Sequence, residues 1–230
     1  MKKKNRILIY ALVFMGFVLF FISGCKKDSG GNSANTVKDI DGNVYHTVTI
    51  GTQVWMVENL KVTHYRNGDP IEHVTDQYGG TPKTGDYFDY ENDGTKANTY
   101  GRLYNWYAIA ESPVITPEGW HVPSDAEWTT LIDYLGGESI AGGKLKESGI
   151  THWKTPNTGA TNETGFTALP VGYRDQYGIF AFLGDHGSFW STSESDANTA
   201  WFRFLSYNDS KVVRGSDKKT IGFAVRCIKD

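Results

Sequence analysis

The side chains best placed to do chemistry in this 230-residue chain are two cysteines, six histidines and one short run of acidic and amide oxygens. Cys227 sits in Phe223-Ala224-Val225-Arg226-Cys227-Ile228, where alternation puts Phe223, Val225 and Cys227 on one strand face. Such a thiol is either a reactive nucleophile or a small buried hydrophobe, and the apolar alternation favours the second reading. His46, His64, His73, His121, His152 and His186 are scattered, and no pair has the spacing of a zinc site. His121, between Trp120 and Ser124, is expected to fix the entry of a helix. Asp86, Asp89, Glu91, Asn92 and Asp93 alternate oxygens along a loop, a pattern that can hold calcium. The glycine that an EF-hand needs at its sixth position is absent, so a solvated loop is favoured, and no metal or cofactor is expected. Ser191, Ser193, Glu194 and His186 contain the residue types of a hydrolase, but no Gly-x-Ser-x-Gly elbow presents a serine. Glu194 is expected to pair instead with Arg203 or Arg226.

Aromatic residues offer a different chemistry. Amphipathic rings stack on the apolar faces of sugars and make good contact surfaces. Of seven tryptophans, Trp128 falls on a helical stripe and Trp55, Trp190 and Trp201 in strand patterns. Trp153, in Thr151-His152-Trp153-Lys154-Thr155-Pro156-Asn157, has the best claim to be exposed. Together with Tyr87 and Tyr90 it is the expected ligand contact, on loops over 75–99 and 150–163. Long polar loops on a rigid scaffold are where recognition usually resides.

The elements that must hold these residues read as follows. Val44, His46, Val48 and Ile50 alternate into Gly51-Thr52, which predicts a hairpin returning through Gln53–Val57. A second hairpin is expected at Asn67-Gly68. Arg102–Ala110 has helical spacing. The clearest helix spans 125–135: Ser124 caps it, Glu127 completes a capping box, and Trp128, Leu131, Ile132 and Leu135 form the stripe. A short helical piece is expected near 143–147. Phe166–Leu169, Val171–Arg174, Ile179–Leu183, Phe189–Ser193, Trp201–Tyr207, Lys211–Gly215 and Gly222–Ile228 read as strands, with a turn at Asp175-Gln176-Tyr177-Gly178. About two helices and many short strands predict an α+β domain over 37–230 with antiparallel sheets.

The first residues read as an address. Lys2, Lys3, Lys4 and Arg6 precede an uncharged run from Ile7 to Ile22, shorter than the roughly 20 residues of a spanning helix. Removal of residues 1–24 leaves 19 basic against 26 acidic residues, a net charge of −7 that argues against a nucleic-acid partner. Ile22-Ser23-Gly24-Cys25 resembles the lipobox of bacterial lipoproteins, which implies acylation of Cys25 and cleavage before it. Residues 25–36 would then be a flexible tether. Lys27-Asp28 resembles the surface-export signals of Bacteroidota lipoproteins, so the expected location is the outer membrane or cell surface.

A family resemblance covers nearly all of 37–230. Ile50-Gly51-Thr52-Gln53-Val54-Trp55-Met56-Val57-Glu58-Asn59-Leu60, Tyr100-Gly101-Arg102-Leu103-Tyr104-Asn105-Trp106 and Gly119-Trp120-His121-Val122-Pro123-Ser124-Asp125-Ala126-Glu127-Trp128 resemble successive motifs of the Fibrobacter succinogenes major paralogous domain. Leu169–Arg174, Trp190–Glu194 and Gly222–Cys227 complete the set in order. More distantly, Trp120–Trp128 and Gly222–Cys227 are similar to landmarks of formylglycine-generating enzymes, which implies a C-type-lectin-like fold whose first and last strands pair. Those enzymes use a cysteine pair upstream of the final run, and Asn208–Thr220 contains no cysteine, so the likeness extends to fold and not to activity. C-type lectins hold calcium through Glu-Pro-Asn or Gln-Pro-Asp and Trp-Asn-Asp motifs. Tyr207-Asn208-Asp209 echoes only the last, and a turn explains it as well. The expected function is a lipid-anchored recognition domain binding glycan or surface protein without catalysis. The alternative is an enzyme related in fold to the formylglycine-generating enzymes, with a site of another kind.

Overall fold

The structure is a computed structural model, and it describes residues 35–76, 84–110 and 112–230. The expected leader, Cys25, the expected tether as far as residue 34 and the tip of the 75–99 loop at 77–83 lie outside the described residues. Two larger sheets, one two-stranded sheet, a pair of consecutive helices and several short helical turns make an α+β domain.

The first hairpin forms as its alternation predicts. Val44–Ile50 pairs antiparallel with Gln53–Met56, and Ile50 faces Gln53 across a two-residue turn. Gly51 has φ 61, and a Cβ there would press on the Tyr134 ring at 3.0 Å, so both backbone and space require glycine. The hairpin belongs to a five-stranded sheet in the order Thr36–Lys38, Val44–Ile50, Gln53–Met56, Ile228–Lys229, Trp120–His121. Pairing of the first hairpin with the chain's last strand is thus found, through Ile228 opposite Trp55. The backbone bonds Met56 N to Cys227 O (3.0 Å) and Leu60 N to Val225 O (2.8 Å) extend it. The Asn67-Gly68 turn closes as expected, with His64 bridged to Pro70.

A seven-stranded sheet runs in the order Val213–Lys218, Thr199–Ser206, His186–Glu194, Phe223–Ala224, Leu103–Tyr104, Asp86–Phe88, Glu72–His73. Leu103 and Tyr104 are therefore strand residues, and only Tyr107–Ala110 is helical in a segment whose spacing predicts helix throughout. The reason is tertiary: Tyr104 lies between Tyr87 and Phe223, and the sheet claims its backbone. Phe166–Leu169 forms only a single bridge, between Ala168 and Lys146.

Gly222–Ile228 is not one strand. Phe223–Ala224 pairs in the larger sheet and Ile228–Lys229 in the smaller, so the chain passes from one sheet to the other. Its alternation serves two cores. Phe223, Val225 and Cys227 join Tyr104, Met56 and Trp190, while Ala224 and Ile228 join Trp55, Trp128 and Phe189. Arg226 is wholly buried beneath Phe166, 4.3 Å from its ring, and donates to Asn59 Oδ1 (2.8 Å), Met56 O (3.0 Å) and Phe166 O (2.7 Å). These acceptors, and no carboxylate, satisfy a guanidinium that burial pushes down to about 9.

Asp125–Tyr134 forms the predicted helix with its capping box intact: Ser124 Oγ accepts from Glu127 N, and Glu127 accepts from Ser124 N at 2.7 Å. Its stripe packs on the second core, with Trp128 4.8 Å from Trp55 and 5.9 Å from Phe189. A further helix, Glu138–Leu145, begins five residues before the expected 143–147 piece. At Gly142 a Cβ would lie 2.2 Å from Lys211 O, so the helix approaches the 210–211 backbone at glycine distance. With Ala97–Tyr100, four α-helices occur among the described residues rather than about two. None of them is long and apolar enough to cross a membrane.

Candidate ligand-binding groove

Three residues expected to touch ligand are interior. Trp153 is 1% exposed, and its indole N–H donates to Ala168 O at 2.9 Å. The polar residues around it turn inward to close the loop, as Asn157 Nδ2 donates to Glu147 O (2.8 Å) and Gly149 O (2.6 Å). The ring also covers Lys146, whose buried ammonium lies 5.4 Å away and donates to Thr158 O, Ser206 O and Asp209 O. The exposure expected of Trp153 is thus corrected: hiding so large an apolar surface outweighs its polar sequence neighbours. Tyr87 is a sheet residue stacked on His73 at 4.6 Å, and Tyr90 is buried against Phe180 at 5.3 Å. These three residues form no common surface.

The loop oxygens also part company. Asp86 is buried, accepts from Asn105 Nδ2 at 2.9 Å, and is pushed up to about 6 by burial. Asp89 pairs with Arg102 at 3.1 Å, Glu91 pairs with Lys96, and Asp93 accepts from Thr95 N and Oγ1. Among the described residues no three His, Cys, Asp or Glu side chains gather as a metal would require.

Cys227 is fully buried, and burial pushes its thiol far above the ordinary range, as befits a small hydrophobe. Ser191 Oγ donates to Trp201 O at 2.9 Å and Ser193 Oγ accepts from Asp125 N at 3.0 Å. Glu194 pairs with Lys219 at 2.5 Å, whereas Arg203 pairs with Asp125 at 2.7 Å, which corrects both expected partners. His121 does fix the helix entry: Nε2 meets Glu127 at 2.8 Å and Nδ1 meets Asp230 at 2.6 Å.

The exposed aromatic surface lies elsewhere, on the hairpin Tyr173–Arg174/Phe180–Ala181 and the strands beside it. Asp175 Oδ1 accepts from Tyr177 N and Ile179 N, both at 2.8 Å, and so builds the turn expected at 175–178. Tyr177 at the tip is 61% exposed. Further on, Phe182 holds φ 66, a conformation unusual for a bulky side chain, and is 44% exposed. Its ring stacks on His186 at 4.3 Å and on Tyr173 at 5.6 Å. His186 meets the edge of Phe204 at 4.6 Å. Burial lowers the His186 pKa, and among the described residues its Nδ1 has no hydrogen-bond partner.

These rings line a groove of about 360 Å³ that also receives Phe202, Phe223, Ile221, Ser188, Gln176, Asp175, Asp217 and Lys218. The volume falls in the range of small-ligand sites. The strand Thr199–Ser206 explains why rings face it. Arg203 turns to the Asp125–Tyr134 helix, which leaves Phe202 and Phe204 on the opposite face. A larger hollow, about 510 Å³, is bordered among the described residues by Glu72, His73, Val74, Thr75, Asp76, Thr84 and Asp86, none of them Phe, Tyr or Trp. The groove was missed because the alternation at Ile179–Leu183 and Trp201–Tyr207 suits buried strands equally well. The readable signal was an apolar surplus: both segments carry large side chains on both faces, and only one face can meet the core.

Residues 48–229 match the profile of the Fibrobacter succinogenes major domain, and the chain belongs to that family. No curated protein matches the chain, and no solved structure does.

Proposed function

We propose that this protein is a cell-surface recognition module, held to the membrane by lipid on Cys25, whose C-type-lectin-like domain grips a glycan without catalysing its conversion. The observation that carries this reading is the open aromatic wall of Phe182, Tyr173 and Tyr177 above a groove with a polar rim. Rings presented edge and face to solvent suit the apolar faces of sugars, and the carboxylates and amide beside them suit hydroxyls. Phe182 stands at a positive φ that neighbouring packing must sustain, and backbone strain of this kind clusters at ligand sites. The pairing of the first hairpin with the last strand supports the lectin-like reading and leaves the groove on other strands.

A glycan array probed with the full chain in detergent tests the reading. Tyr177→Ala, at an exposed turn tip, should leave thermal stability within a degree or two while weakening every bound glycan. An array that stays blank, or binding indifferent to Tyr177→Ala and Phe182→Ala alike, would reject the groove. The anchor has its own check: Cys25→Ser should free the protein from membranes or leave the leader uncut.

A further inference from the structure

Resting on the glycan reading, we infer that the groove selects sugars bearing a free, protonated amine over their N-acetylated and acidic counterparts. The lining holds two carboxylates, Asp175 and Asp217, against one ammonium, Lys218, so its formal charge is negative. Lys218 is turned onto the side-chain oxygen of Gln176. Burial pushes the Tyr173 phenol up, and the Asp175 and Asp217 carboxylates push it further, so both charges are felt at the aromatic wall itself. A ring face carries negative charge density of its own and attracts cations, most strongly where water is excluded. An ammonium in the groove meets two attractive fields at once, and a carboxylate meets two repulsive ones. Amino sugars supply that ammonium on a ring whose apolar face can lie on the exposed Tyr177. A groove of this volume suits a sugar ring better than one lysine side chain.

The test uses the full chain in detergent and calorimetry below the pKa of the sugar amine. The probes are a glucosamine tetrasaccharide, its fully N-acetylated form and a glucuronate-containing tetrasaccharide. The free amine should bind at least roughly tenfold tighter than the N-acetylated form, and the acidic sugar should not bind. Asp217→Asn should weaken the free-amine ligand by roughly tenfold and leave the N-acetylated one unchanged. Lys218→Met should strengthen it. Equal binding of acetylated and free sugars overturns the selectivity while leaving the glycan reading intact. An equal loss in Glu91→Gln, at an exposed ion pair, would reduce the effect to overall charge and also overturn it. Binding of none of the three, with other glycans captured on the array, overturns the selectivity alone. A blank array as well removes the glycan reading with it.

Discussion

Trp153 shows how a single side chain can be misread from its neighbours. Its indole is enclosed, bonded to Ala168 and laid over the Lys146 ammonium. Trp153→Ala should therefore cost about 3–5 kcal/mol in urea unfolding rather than leave stability unchanged. A near-native midpoint would mean that the loop re-closes without the ring. His121 carries a pH signature. Burial lowers its pKa, but hydrogen bonds with Asp230 and Glu127 outweigh that and raise it above the ordinary value. A raised histidine stabilises fully below the unfolded pKa, about 6.5, and loses that contribution as pH rises through the folded value. The gap in stability between wild type and His121→Asn should therefore shrink as pH rises above about 6.5. Because His121 is well exposed, the gap is only about 0.2–1 kcal/mol at its largest. A gap that widens with pH would contradict this account.

Among elements, the legible ones carry their own boundary chemistry. The Asp125–Tyr134 helix announces itself through Ser124, Glu127 and a four-residue stripe, and the first hairpin through Gly51. Ser124→Ala should cost about 1 kcal/mol, and somewhat more if Glu127 then loses its hold on His121. Asp125→Asn probes the same turn through Arg203 and Arg214, which both bond its carboxylate. Elements of two residues, such as Leu103–Tyr104 and Phe223–Ala224, carry no boundary signal, because partners far along the chain decide them. The groove was illegible for a related reason. Phe182 and Phe204 look like core residues until the strands that cover other faces are placed, and nothing local says which face stays open.

At the scale of the whole molecule, Gly222–Lys229 contributes a strand to each of the two larger sheets and side chains to both cores. A chain ended at Ile221 should show no cooperative unfolding transition and no fixed near-ultraviolet signal from its tryptophans, since neither sheet is complete. A cooperative transition in that truncation would show that one core stands alone. These eight residues are also made after every part they join. A ribosome that feeds the chain from its amino end therefore delivers the other strands of both sheets before the stretch that joins them. Both sheets wait on that one stretch for their closing strand, like a zip whose slider is fitted late.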